Sequence, residues 1–301
     1  MAISDNLKGA TLMAASMAGF TINDAMVKKV SPLMNVGEIM LLRGLMTTAL
    51  VFLIAWRLGA LRPIPMVFNK MIMIRMAAEA MASITYLAAL SMMPLSNTSS
   101  ILQAMPLAVT MGAALFLGEP VGWRRWAAII VGFIGVLIII RPGTGDYGLG
   151  SILVVLCVIF AAIRDLVTKR INSDIPSLFI TVVTSFSIAL VGGALIVPFG
   201  GWRPITWEGI LPLAFGAIML FVGYQAIIMA MRTGEVSFIA PFRYTSLLWS
   251  LALGVFMLGE HPDFWMLTGA AIVIMAGLYT FYREAQRSRR LAADSANPNA
   301  V

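Results

Sequence analysis

"TINDAMVKKV" (residues 21–30) ends an apolar segment with an acid and two lysines, and "AAIRDLVTKRI" (161–171) ends another in nearly the same way. Asp24 and Lys28 of the first recur as Asp165 and Lys169 of the second, 141 residues later. The same ungapped shift sets Arg62-Pro63-Ile64 on Arg203-Pro204-Ile205, Leu117-Gly118-Glu119 on Leu258-Gly259-Glu260, and Gly9 on Gly150. Overall identity at this shift is no higher than so biased a composition gives. The signal is the clustering of scarce polar residues and prolines at matched segment ends, and it predicts a duplicated chain.

The segments themselves predict what was duplicated. The 301 residues are 60% hydrophobic and only 12% charged, with a mean hydropathy of +0.91. A soluble domain carries about 25% charge. Apolar residues come in blocks of roughly 20, the length that crosses a bilayer core, as in "AAIIVGFIGVLIII" (127–140) and "GSILVVLCVIFAAI" (150–163). The expectation is an all-α integral membrane protein with ten transmembrane helices, at 8–28, 33–56, 67–92, 96–117, 122–140, 147–170, 176–199, 206–231, 236–258 and 263–284. Pro, Gly and charge punctuate the breaks between them.

With both termini cytoplasmic, fourteen Lys and Arg fall on the inner side, among them Arg57, Arg62, Arg124, Arg125 and Arg170, against Lys28, Lys29, Arg141 and Arg203 outside. That bias sets the orientation in the cell inner membrane. Five spans per half is an odd number, so the halves cross the bilayer in opposite senses. The result is two inverted five-helix repeats, 1–141 and 142–284, followed by a polar cytoplasmic tail, 285–301, expected to be irregular. Inverted repeats are the architecture of alternating-access carriers. In each half the Asp lies at a helix C-terminus, where the macrodipole disfavours an anion, and the Lys one turn on is expected to offset it.

The two five-span halves, the "LLRGL" of the second span (41–45) and the paired Leu-Gly-Glu ends resemble the EamA-type members of the drug/metabolite transporter superfamily. The resemblance covers the chain to about residue 284. It implies a small-metabolite carrier that needs no cofactor. The ninth span, "APFRYTSLLWSLALGVFMLGE" (240–260), looks like that of members described as importers of riboflavin or S-adenosylmethionine. Riboflavin is therefore the first expectation for cargo, with S-adenosylmethionine uptake and amino-acid or drug export as alternatives.

A charge at mid-membrane costs about 3 kcal/mol on insertion scales, so each one asks for a reason. Arg43, Glu79 and Arg243 are the expected cavity residues, the arginines holding an anionic or carbonyl group and Glu79 taking up and releasing a proton. Equally, Glu79 could pair with Arg43 or Arg75 to hold helices together. Six tryptophans fall at span ends as interfacial anchors. Trp249 alone lies mid-span, either as a stacking surface for a planar cargo or as packed bulk. Tyr86, Gln103 and Tyr224 complete the candidate set, because their polar groups are costly to bury unpaired. Pro106 and Pro241 interrupt the fourth and ninth spans, six residues out of register at this shift. Glu119 and Glu260 follow glycines at helix ends and read as acids at the start of the next helix.

"GTGDYG" (143–148) matches a dinucleotide-binding pattern, but the apolar run before it is too long for a strand and Asp165 lies across the membrane. The single histidine and single cysteine leave no metal pattern. A net charge of +7 reports cytoplasmic loops and not nucleic-acid binding. An integral membrane enzyme such as a lipid-linked transferase would need clustered carboxylates or a nucleophile–base pair, whereas carboxylates here are scattered singly. A channel would need a continuous polar lining, whereas the spans carry isolated polar stripes.

Overall fold

A computed structural model describes residues 3–142, 148–171, 174–233 and 236–296. The dinucleotide-like stretch therefore lies, except for Gly148, outside the described residues. Twelve α-helices are described: α1 (Ile3–Val30), α2 (Val36–Arg57), α3 (Lys70–Met92), α4 (Leu95–Leu102), α5 (Met105–Leu117), α6 (Trp123–Ile140), α7 (Gly148–Thr168), α8 (Ser177–Leu195), α9 (Trp207–Thr233), α10 (Val236–Ile239), α11 (Thr245–Leu258) and α12 (Phe264–Ala296). They make ten passes, because α4 with α5 forms the fourth and α10 with α11 the ninth. Among the described residues, eight passes are long and apolar enough to cross a membrane by composition alone. The other two are α1, which carries Asn23 and Asp24, and the ninth pass, broken by a 3₁₀ turn at Ala240–Tyr244. The expected irregular tail is instead helical through Ala296, since "REAQRSRRLAA" is rich in helix formers.

The helix pairing carries the duplication into three dimensions. The most extensive contacts join α1 to α9, α2 to α8, α3 to α7 and α6 to α12, and α4 packs on α11. In passes these are one with eight, two with seven, three with six, five with ten, and four with nine. Exchanging the two halves exchanges the first and third pairs and returns the others to themselves. Two inverted repeats packed about a pseudo-two-fold axis require this pattern.

Helices inside a bilayer gain little hydrophobic energy from meeting each other, so small residues that admit close backbone contact hold them together. A Cβ on Gly37 would lie 2.7–2.8 Å from backbone atoms of α8 and its end, and one on Gly192 would lie 2.6 Å from Leu41 N. Gly135 of α6 and Gly269 of α12 meet in the same way, each leaving a Cβ no more than 2.9 Å from the other's carbonyl oxygen.

Both Leu-Gly-Glu ends form the same cap. Gly118 (φ 67°, ψ 20°) ends α5 and Gly259 (φ 68°, ψ 25°) ends α11, in the left-handed region that favours glycine. The breaks in the fourth and ninth passes also coincide. Helix α4 ends at Leu102 and α5 begins at Met105, while α11 begins at Thr245 after the 3₁₀ turn. Gln103 and Tyr244 thus stand at equivalent breaks although the prolines do not.

The close α2–α8 contact yields a direct expectation. Gly37→Ala must push two backbones apart and lower stability by about 1–3 kcal/mol. Gly122→Ala, where nothing lies within 4 Å, should change it by less than about 0.5 kcal/mol. Thermal unfolding of the purified protein in detergent reads both.

Candidate functional site

Most of the bundle's intramembrane charge gathers on α1, α2, α3 and α7. Glu79 of α3 and Arg164 of α7 form an ion pair at 2.8 Å, and the same guanidinium donates from Nε to Asp165 Oδ1 at 2.8 Å. Glu79 therefore does anchor one helix to another, but its partner is Arg164, where the sequence suggested Arg43 or Arg75. Arg75 instead donates to Thr168 Oγ1 at 2.9 Å and Thr184 Oγ1 at 2.7 Å, tying α3 to α7 and α8.

The equivalent position in the first repeat holds a smaller version of the same pair. Arg164 falls on Asn23 at a shift of 141, and Asn23 Nδ2 donates to Asp24 Oδ1 at 3.0 Å. Tyr86 of α3 lies against Asp24, close enough to interact electrostatically, without its hydroxyl completing a hydrogen bond. Arg43 lies within electrostatic reach of Asp24, Tyr86 and Tyr224. Tyr224 of α9 is partly open and sets its ring edge-on to Phe20, 5.2 Å between centroids.

Arg243 sits in the 3₁₀ turn that breaks the ninth pass and is exposed. It interacts through space with Asp165 and Arg164. Among the described residues, neither Arg43 nor Arg243 makes a hydrogen bond, whereas Arg75 and Arg164 each donate two. Two guanidiniums with open donors therefore border one polar region lined by two tyrosines.

The remaining two candidates tie helices together. Gln103 Nε2 donates to Ser246 Oγ at 2.7 Å, joining the break in the fourth pass to the break in the ninth. Trp249 Nε1 donates to Ala14 O at 3.1 Å, while 41% of the residue remains exposed. Its indole is thus fixed to α1 at one edge with one face uncovered.

The duplicated lysines do not offset their own aspartates. Lys28 Nζ donates to Leu90 O at 2.6 Å and Met93 O at 2.9 Å, the open carbonyls at the end of α3. Lys169 pairs with Glu119 at 3.3 Å. Glu260 likewise serves a helix other than the next one. It accepts from Leu95 N at 2.5 Å and from Ser96 N and Oγ at 3.1 and 2.8 Å, capping α4 in the other repeat. The next helix, α12, is capped by Asp263, which accepts from Met266 N at 2.6 Å.

Sequence reasoning passed over Arg164, Asn23 and Glu38. Arg164 stands beside Asp165 in the duplicated stretch, and a charge inside the sixth span was the available signal. Glu38 closes a capping box with Asn35 and also accepts from Arg203 N, which pins the loop before α9 to the start of α2.

Comparison with known proteins fits this geometry. The model of the EamA-like transporter family matches residues 7–141 and 148–282, once for each half. The chain is 31% identical over 199 residues to a riboflavin transporter of Vibrio cholerae, covering 65% of this chain and 66% of that one. It is 32% identical over 213 residues to an S-adenosylmethionine uptake transporter of Rickettsia bellii, covering 68% and 69%. A pseudopaline exporter of Pseudomonas aeruginosa is 26% identical, with 91% and 96% covered. One solved crystal structure shares the fold at a TM-score of 0.63 and 16% identity, over 94% of this chain and 97% of that one. Two family matches on a ten-pass, two-repeat helical bundle settle the class: the chain belongs to the EamA-like transporter family and is a multi-pass membrane transporter, not an enzyme.

Proposed function

We propose that this transporter is a secondary-active carrier that moves a small organic metabolite by alternating access, with riboflavin uptake as the first reading of its cargo. The observation that carries the proposal is the pair of arginines, Arg43 and Arg243, whose donors remain open, Arg43 within electrostatic reach of Tyr86 and Tyr224 and Arg243 on the same pass as the part-exposed Trp249. Guanidinium donors recognise carboxylate, phosphate or carbonyl edges, and aromatic faces take planar rings. A flavin offers both a carbonyl edge and a planar ring. The repeats comprise 1–141 and 142–284. The protein sits in the inner membrane with both termini and the 285–301 tail in the cytoplasm, which puts the Lys28 end of α1 outside and the Lys169 end of α7 inside.

The similarity to an S-adenosylmethionine uptake transporter and to a pseudopaline exporter supports a second reading within the same class. Four arginines (Arg43, Arg75, Arg164, Arg243) face three carboxylates (Asp24, Glu79, Asp165) in the polar region. This balance favours cargo that presents an acidic or carbonyl group over a simple cation. Proton coupling through Glu79 remains part of the proposal and requires the Glu79–Arg164 pair to open during the cycle.

Uptake of radiolabelled riboflavin by a flavin-auxotrophic bacterium expressing the chain is the test. Saturable uptake is expected, falling roughly 10- to 100-fold in Arg243→Ala and in Arg43→Ala, the effect of losing a charge-assisted hydrogen bond. No uptake with the protein inserted in the membrane overturns the flavin reading.

Trp249 separates into two testable roles. Trp249→Phe keeps a stacking ring and loses the bond to Ala14, so near-normal uptake is expected with stability lower by about 1 kcal/mol. Trp249→Ala should lose uptake. Glu79→Gln is expected to keep cargo exchange across proteoliposomes and to lose accumulation driven by a pH gradient.

A further inference from the structure

The duplication supplies an internal control on conformation, because residues 141 apart occupy equivalent places at opposite ends of the bundle. At the Lys28 end, Val27, Val30, Val36, Ile39, Leu87, Leu90 and their neighbours form one packed cluster. Several of their equivalents at the Lys169 end are open, although Ile180, the equivalent of Ile39, is buried. Leu90 is fully buried and Met231 is 38% exposed, while Leu87 is 2% and Ile228 42% exposed. Val27 is buried and Thr168 exposed, and Met257 packs on the cluster while its equivalent Phe116 is 74% exposed. Equivalent positions face equivalent surroundings, so the difference reports a molecule sealed at one end and open at the other.

The charged groups divide in the same way. At the sealed end the Glu260 carboxylate caps the first N–H groups of α4 in the opposite repeat, with Lys28 in electrostatic reach. At the open end the equivalent pair, Glu119 and Lys169, is 48% and 52% exposed. Among the described residues, Lys169 is the hydrogen-bond partner of the Glu119 side chain. The sealed end also has a feature the open end lacks. Glu260 folds over Gly254, where an added Cβ would lie 2.6 Å from Oε2, and the position equivalent to Gly254 is Ala113.

We propose that Glu260 is the latch of the sealed end: its bonds to the N-terminus of α4 hold the two repeats together there, and releasing them lets that end open while the other closes. Glu119 is the corresponding residue of the opposite end. The inference rests on the alternating-access reading but involves no cargo. Its test is therefore independent of what is transported and of membrane orientation.

The test uses purified protein in detergent with Cys157, the buried free cysteine, replaced by serine. Val27→Cys reports the sealed end and Thr168→Cys the open end, each through its rate of maleimide labelling. Glu260→Ala removes the latch. Gly254→Ala displaces its carboxylate while improving local helix propensity, so it tests the same bond without removing the acid. Both variants are expected to raise labelling at Val27→Cys by roughly tenfold, the order a lost cap commands, and to lower it at Thr168→Cys. Unchanged rates at both positions overturn the proposal. So does a rise at both, which would report general loosening.

Discussion

A backbone N–H or C=O left bare in hydrocarbon costs several kcal/mol, about as much as a protein's whole margin of stability can bear. Eight passes of this bundle satisfy that constraint internally. The fourth and ninth do not, because each breaks near its middle, and both passes are bonded to the opposite repeat. Gln103 reaches from the fourth pass to Ser246 in the ninth. Glu260, from the end of the ninth, caps the start of the fourth. Each of the two passes thus has backbone groups met from the other repeat: the first N–H groups of α4 by Glu260, and the Tyr244 carbonyl by Gln103 Nε2 at 3.5 Å. This dependence makes the repeat interface both cohesive and a place where two arrangements can compete.

The same economy governs the charges. A membrane interior tolerates few ions, and several of those present join one helix to another: Glu79 with Arg164, Arg75 with Thr184, Lys28 with the end of α3. Lys28 stays within its own repeat, whereas Glu79 and Arg75 reach into the other. Against that background the open donors of Arg43 and Arg243 stand out, because an unpaired guanidinium in such a place has no structural return. A group that arrives from outside the protein is the simplest partner for them, which is why the proposed cargo site rests on these two residues more than on Gln103, already committed to a helix crossing.

The architecture could be read from the chain because its signals are local or periodic. Span length, the Lys and Arg bias and the matched Leu-Gly-Glu ends each need only a short window or one shift. The partners of the polar side chains could not be read so easily. Asp24 and Lys28 look like an i, i+4 pair in sequence, yet one hydrogen-bonds Asn23 and the other serves α3. Glu260 looks like the first acid of the following helix and instead caps one 165 residues away. Such choices depend on which helices meet, and the inverted packing decides that. The break in passes four and nine is an intermediate case: the prolines pointed to the right helices but to unequal positions, and only the backbone reveals Gln103 and Tyr244 as equivalents.

The central claim is that the two ends of one bundle open alternately about the repeat interface. Double electron–electron resonance on spin-labelled pairs tests it most directly, one pair at Lys29 and Pro262 across the sealed end and one at Arg170 and Val121 across the open end. These positions are equivalent under the 141-residue shift. The account expects two distances at each end, with the fraction of short distance in the first pair matching the fraction of long distance in the second. A single distance at each end, unchanged by conditions that drive transport, would contradict it.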